Sequence, residues 1–192
     1  MPAYRKERLE NAMLFFAQEH YKKTRKYLSQ TALYKYLAFF EFRYLNKTGN
    51  MPLELTYRAM ERGPVPIEVY DKRDTNGAFS TVTFEPFQTQ DGNFGYLVKP
   101  KGKFNADYFA EAELDEMKAL IEMFAQGWGA AVMSDATHTS IKAWKKTYAK
   151  NPNAIIDPIE EFNRDITAVL EDSLSTAEER FLIHRKIAEL AG

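Results

Sequence analysis

Side chains able to do acid–base, nucleophilic or metal chemistry are few in this chain, and their spacing does not suit it. Three histidines, His20, His138 and His184, lie far apart and outside any H-E-x-x-H-type pattern. A metal needs several converging ligands, so each histidine reads as a structural or surface residue. The serines have no G-x-S-x-G context, and no glycine pattern resembles a phosphate loop. Carboxylates bunch at Glu111, Glu113, Asp115 and Glu116, at Glu160-Glu161 and at Glu178-Glu179. These clusters sit where helices are expected to begin, and attraction to the positive helix end accounts for them. Cysteine is absent, which removes disulfides, thiol catalysis and zinc sites built on Cys. No catalytic residue, cofactor or metal is therefore expected.

His138-Thr-Ser-Ile-Lys-Ala-Trp144 is different in kind. It reads as a packed aromatic with a hydrogen-bonding neighbour, Trp144 plugging the core and His138 satisfied beside it. The enzymatic alternative is a hydrolase that pairs His138 with a nearby carboxylate.

Stepping outward from these residues, 192 residues suit one large domain, or one domain with a helical appendage. At this size about 70% of the unfolded chain's surface is buried on folding, so no staple is needed. The N-terminus carries charges without an apolar signal core, and no run approaches a membrane span. A soluble, cytoplasmic protein without membrane contact is expected. Residues 1–47 hold ten Lys/Arg against four Glu, whereas the remainder is net acidic. The stretch Lys22-Lys23-Thr-Arg25-Lys26 is either a solvated helix end or a docking site for an acidic partner. A pI of 6.3 and the lack of any aromatic or Gly-rich RNA-binding signature argue against nucleic acid.

Leu9, Met13, Phe16, Ala17 and His20 fall at helical spacing and predict a helix over about 5–20. A second helix runs over about 30–47 and stops at Thr48-Gly49. Its Leu33, Tyr34, Tyr36, Leu37, Phe39, Phe40, Phe42, Tyr44 and Leu45 cover almost every side, which places it at the centre of the fold. The stretch from Leu55 to Tyr70 holds an extended run, a Gly63-Pro64-Val65-Pro66 corner and a short helix from about 66 to 72. Thr75-Asn-Gly77 is a turn. Val82 and Phe84, then Phe94, Tyr96 and Val98, alternate as strands around a hairpin turn at Gln90-Asp-Gly92-Asn93, and 53–59 offers a third strand. Leu114, Met117, Ile121 and Phe124 mark a helix over about 110–125, broken by Gly127-Trp-Gly129. Helical pieces over 130–137 and 141–149 are split by His138-Thr-Ser140. Asp157-Pro158 opens a further helix, and Ser175-Thr-Ala-Glu178 is a capping box opening the last one, through Leu190. The fold class is α+β and mainly helical: a central buried helix, a small antiparallel sheet and a C-terminal helical pair.

With these segments in place, the chain resembles the Panacea domain, also described as the SocA-like antitoxin domain. The resemblance rests on Leu33-Tyr-Lys-Tyr-Leu-Ala-Phe39 with Phe42, Tyr44 and Thr48-Gly49, and on Leu55-Thr-Tyr57-Arg-Ala59. It continues through the Gly63-Pro64-Val65-Pro66 corner, Val69-Tyr70, His138 and Ala143-Trp144. Family members usually carry Ser before the later His, where this chain has Thr137. The resemblance covers about residues 30–150, leaving 1–29 as an N-terminal helix and basic loop and 151–192 as C-terminal helices packed on the same body. It implies a non-enzymatic antitoxin of a bacterial or phage toxin–antitoxin pair, whose partner is a cognate protein toxin. Neutralisation by direct binding is implied first; an adaptor handing the toxin to a protease, or a DNA-binding regulator, are alternatives. Exposed aromatic and Arg side chains dominate interface energies, which nominates Tyr57, Arg58, Arg62 and Tyr70, with Lys22, Lys23, Arg25 and Lys26. Gly63, Pro64, Val65, Pro66, His138 and Trp144 are expected to hold the fold.

Overall fold

A computed structural model describes residues 4–88, 92, 94–125 and 130–191. Helix α1 spans Arg5–Thr24 and α2 spans Gln30–Thr48, joined through the two-residue strand β1, Leu28–Ser29. Ser29 caps α2 by accepting from the Ala32 N–H, and Gly49 ends it at φ +79°. Leu33, Tyr36, Leu37, Phe40, Phe42 and Leu45 are all buried, so α2 is the axis of the core. Aromatic pairs radiate from it: Tyr36 stacks on Phe16 of α1, Phe39 meets Phe124, and Phe42 meets Tyr57. His20 lies inside α1, not at its end, and its Nδ1 sits 3.2 Å from the Tyr36 hydroxyl.

Strand β2 (Tyr57–Met60) and β3 (Gly63–Pro66) form a two-stranded hairpin that runs into α3, Ile67–Lys72. Strands β4 (Val82–Gln88) and β5 (Phe94–Pro100) form a second hairpin. Its third strand is β1, where Leu28 pairs with Val98 and Ser29 with Leu97. The expected third strand over 53–59 is thus corrected: only its end is extended, and it pairs with β3. Two features stop it joining the β4–β5 sheet. Glu54 adopts φ +49°, and the Leu55 N–H is taken by the buried Glu41 carboxyl instead of a strand. Most of the Gln90–Asn93 turn lies outside the described residues, as does the Gly127–Gly129 break.

Helix α4 spans Glu111–Phe124, α5 Ala130–Ser140, α6 Lys142–Lys150 and α7 Thr176–Ala191. The expected split at His138-Thr-Ser140 is also corrected, because α5 continues through it and the chain breaks at Ile141. Thr137 and Thr139 return their hydroxyls to carbonyls of their own helix, to Ser134 O and Ala136 O, so they do not end it. Asp157-Pro158 opens a single 3-10 turn, while Ser175 and Glu178 form the reciprocal capping box of α7. The acidic start of α4 does more than face the helix dipole. Glu113 binds Arg8 of α1 at 2.6 Å, and Glu116 binds Arg43 and Lys47 of α2. Among the described residues, no helix is long and apolar enough to cross a membrane.

Glu41 lies wholly inside, with burial raising its carboxyl to about 8. The folded state therefore holds a proton that the unfolded chain releases above about pH 4.5, and stability should fall as pH rises from there towards 8. Glu41→Gln should flatten that limb of the difference profile in urea melts taken from pH 5 to 8; an unchanged slope would mean that Glu41 is ionised in the fold.

Candidate functional site

The β2–β3 hairpin gathers Tyr57, Arg58, Arg62 and the Gly63–Pro66 corner, half of the residues nominated from the sequence. Strand alternation sends Tyr57 and Ala59 inward and leaves Arg58 exposed. Tyr57 thus departs from its expected role as an exposed anchor: it is 1% exposed and packs on Phe42. Arg58 is exposed, its guanidinium donating to the Asn153 carbonyl at 2.8 Å. Arg62 is exposed in the two-residue turn. Arg58, Met60, Val65, Ile67, Tyr70 and Asp71 line a depression of about 100 Å³ on the outer face. Tyr70 is half-buried, with the Arg73 guanidinium 3.8 Å above its ring. Arg73 continues into a second cavity of about 500 Å³, between the 74–79 loop and β4, that also holds Phe84 and Tyr96.

What makes this face rigid lies beneath it. Neither Glu61 nor Arg62 takes a positive φ, and the reversal is completed by Gly63 at φ +106°. A Cβ there would stand 2.4 Å from the Lys35 Nζ and 2.7 Å from the Thr137 Oγ1. Glycine is required both by the backbone and by this approach to α2 and α5. The prolines cost the ladder nothing. Ala59, opposite Pro64, directs its N–H away from β3 to Ala154 O, so positions 64 and 66 point their nitrogens to the free edge. On the other side, Tyr57 and Ala59 pair with residues 153–156, which closes that edge.

His138 and Trp144 clamp the turn. Their rings stack 4.2 Å apart at 7°, and Tyr148 continues the stack at 5.0 Å. The Trp144 indole donates to Met60 O at 2.9 Å. Burial lowers the His138 imidazole below its ordinary range, and neighbouring Lys35 adds to this; the backbone of Glu61 and Arg62 pulls the other way. Lys35, 1% exposed, is itself driven down to about 7 by burial. Sequence reasoning passed over Lys35, although a lysine between Tyr34 and Tyr36 on a helix apolar all round was its signal.

The basic stretch is elsewhere. Lys22 and Lys23 belong to the last turn of α1, where Lys22 pairs with Glu19 and Lys23 with Glu122. Arg25 and Lys26 are exposed after the helix end. Arg5, at the opposite end of α1, binds Glu68 of α3 at 2.8 Å. At 1.5 Å per residue, the hairpin end and the basic end of α1 are separated by about 25 Å. The two nominated sets do not form one patch. Among the described residues, no three His, Asp or Glu side chains come together as metal ligands.

Residues 33–145, more than half of the chain, match the family model described as "Antitoxin SocA-like, Panacea domain", and the chain belongs to that family. No curated protein and no solved structure matches it. Lys35, the β2–β3 hairpin, His138 and Trp144 all lie within the matched span, whereas α7 lies beyond it.

Two stability measurements check this construction. Trp144→Ala should cost about 3–5 kcal/mol in denaturant unfolding, and a change near zero would place the indole at the surface. Gly63→Ala should cost about 1–3 kcal/mol from backbone strain alone. Lys35→Ala in the same chain should recover only the part due to the clash with Lys35, leaving the Thr137 approach and the strain; full recovery would show that the positive φ is not the constraint.

Proposed function

We propose that this member of the SocA-like antitoxin family neutralises a cognate protein toxin by binding it directly, through the outer face of the β2–β3 hairpin. The observation that carries the reading is the coexistence there of exposed Arg58 and Arg62 with a depression lined by Met60, Val65, Ile67 and Tyr70. Arginine beside apolar and aromatic groups is the composition of interface anchors. The face is held in advance by the Gly63 approach and the His138–Trp144–Tyr148 stack, so little ordering is lost on binding. Covering the toxin's active site needs a stiff surface and no chemistry from the antitoxin. His138 is poorly placed for hydrolysis, since its ring is stacked face to face on Trp144. Two of the four nominated cations near the end of α1 are already ion-paired, which weakens the case for a nucleic-acid surface there.

Co-expression with the neighbouring gene tests the proposal. Growth arrest should be relieved by this chain, and the two proteins should co-purify. Arg58→Glu with Arg62→Glu should leave the melting temperature within a few degrees and weaken the complex at least about tenfold, roughly 1.4 kcal/mol. Undiminished protection and affinity would move the toxin to another surface. Relief of arrest without a stable complex would favour the adaptor or repressor reading.

A further inference from the structure

The basic stretch at the end of α1 gains cations from a distant part of the chain. Helix α1 carries Lys22 and Lys23 in its last turn, and Arg25, at φ +59°, turns the chain through Lys26 and Tyr27 into β1. Strand β5 runs back alongside: Leu28 pairs with Val98 and Ser29 with Leu97, which sets Tyr27 beside Lys99. The Lys99 amine accordingly lies 5.1 Å over the Tyr27 ring. The loop leaving β5 carries Lys101 and Lys103, and the Gln18 side chain of α1 donates to Gly102 O between them at 3.1 Å. Gln18 stands one turn before Lys22 and about 10 Å before Arg25 along the axis. Lys22, Arg25 and Lys26 thus meet Lys99, Lys101 and Lys103 at one end of the fold.

The carboxylates among these cations are already used. Glu19 binds Lys22, Glu85 binds Lys99 and Glu122 binds the neighbouring Lys23. Arg25, Lys26, Lys101 and Lys103 are exposed and have no ion pair among the described residues. A Cβ placed on Gly102 would meet nothing within 4 Å, so the loop stands in the open. Tyr21 and Tyr27 stack 4.8 Å apart at 22° beside it. This arrangement suits carboxylates better than a nucleic-acid strand. Three carboxylates already sit among the cations, where they would repel a phosphate backbone. Tyr27 has Tyr21 on one face and the Lys99 amine over its ring, so it offers no open face to a base.

We infer that this end of the molecule docks an acidic segment of a protein partner, whose carboxylates pair with Arg25, Lys26, Lys101 and Lys103. An extended run of about five residues, at about 3.3 Å each, spans the cluster. Exposed charges of this kind steer and select a partner more than they hold it, so binding through this face alone is weak and falls with salt. The inference does not rest on the hairpin as the toxin-binding face.

Fluorescence anisotropy of the full chain with a labelled deca-glutamate peptide tests it. The peptide should bind at low salt and lose affinity as salt rises to the physiological range. Arg25→Glu with Lys26→Glu, and Lys101→Glu with Lys103→Glu, should each weaken binding about tenfold or more. The melting temperature should stay within a few degrees, because none of the four side chains has an ion pair to lose. Lys145→Glu with Lys186→Glu makes the same change in net charge on the exposed surfaces of α6 and α7, and should cost far less affinity. No binding at low salt, or equal losses from all three double variants, overturns the inference. So does tighter binding of deca-uridylate or of phosphatidylserine vesicles, which would give the cluster to a nucleic acid or to a membrane.

Discussion

Burial of α2 on all sides is the constraint from which the rest of this structure follows. A helix with Leu33, Tyr36, Leu37, Phe40, Phe42 and Leu45 around its circumference has no face to give to water. Every neighbour must therefore present an apolar side to it: α1 through Phe16, α4 through Phe124, β2 through Tyr57, and β5 through Val98. The polar groups that α2 carries inside are held in forms that suit a dry interior. Burial drives the Glu41 carboxyl towards its protonated form and the Lys35 amine towards its neutral one. The Glu41 carboxyl also takes up the Leu55 N–H, so one buried acid decides where the extended segment before β2 goes.

The β2–β3 hairpin turns that central burial into a presented surface. Its inner side is fixed by a glycine that no side chain can replace without moving Lys35 and Thr137, and by an indole hydrogen-bonded to its backbone. Its outer side carries arginines and an open depression. Rigidity and exposure come from the same strand alternation: 57 and 59 point in, while 58 points out. Prolines at 64 and 66 stand where their missing N–H groups would have met the free edge, which also denies that edge to a further strand.

The elements outside the matched span are tied on by ion pairs as much as by apolar contact. Arg5 and Arg8 of α1 reach Glu68 and Glu113, and Arg164 and Arg185 anchor α7 at Glu178 and Asp157. The half-buried Arg8–Glu113 pair is among the better screened from solvent, and the exposed ones contribute little each. Their value here is geometric, since they fix the rotation of α7 and hence which of its faces is left outward.

Much of the architecture was legible in the residues themselves, because period and punctuation are local. The apolar circumference of α2, Gly49 at its end, the alternation of β4 and β5, and the Ser175–Glu178 box each encode their element without outside help. The family motif likewise stands in the chain as a string. Tertiary structure alone decided the rest. Extended residues near 57 could pair with either sheet, and the buried Glu41 carboxyl with the positive φ of Glu54 settled the choice. His138-Thr-Ser140 looked like a helix break, yet the Thr139 hydroxyl found a carbonyl of its own helix and α5 continues through it. Tyr57 and Arg58 are neighbours in sequence and opposite in exposure, because which face of a strand meets the core depends on what packs against it. The chain specifies which residues are apolar and how they recur; only packing determines which recurring face is buried, and therefore which side chains remain to meet a partner.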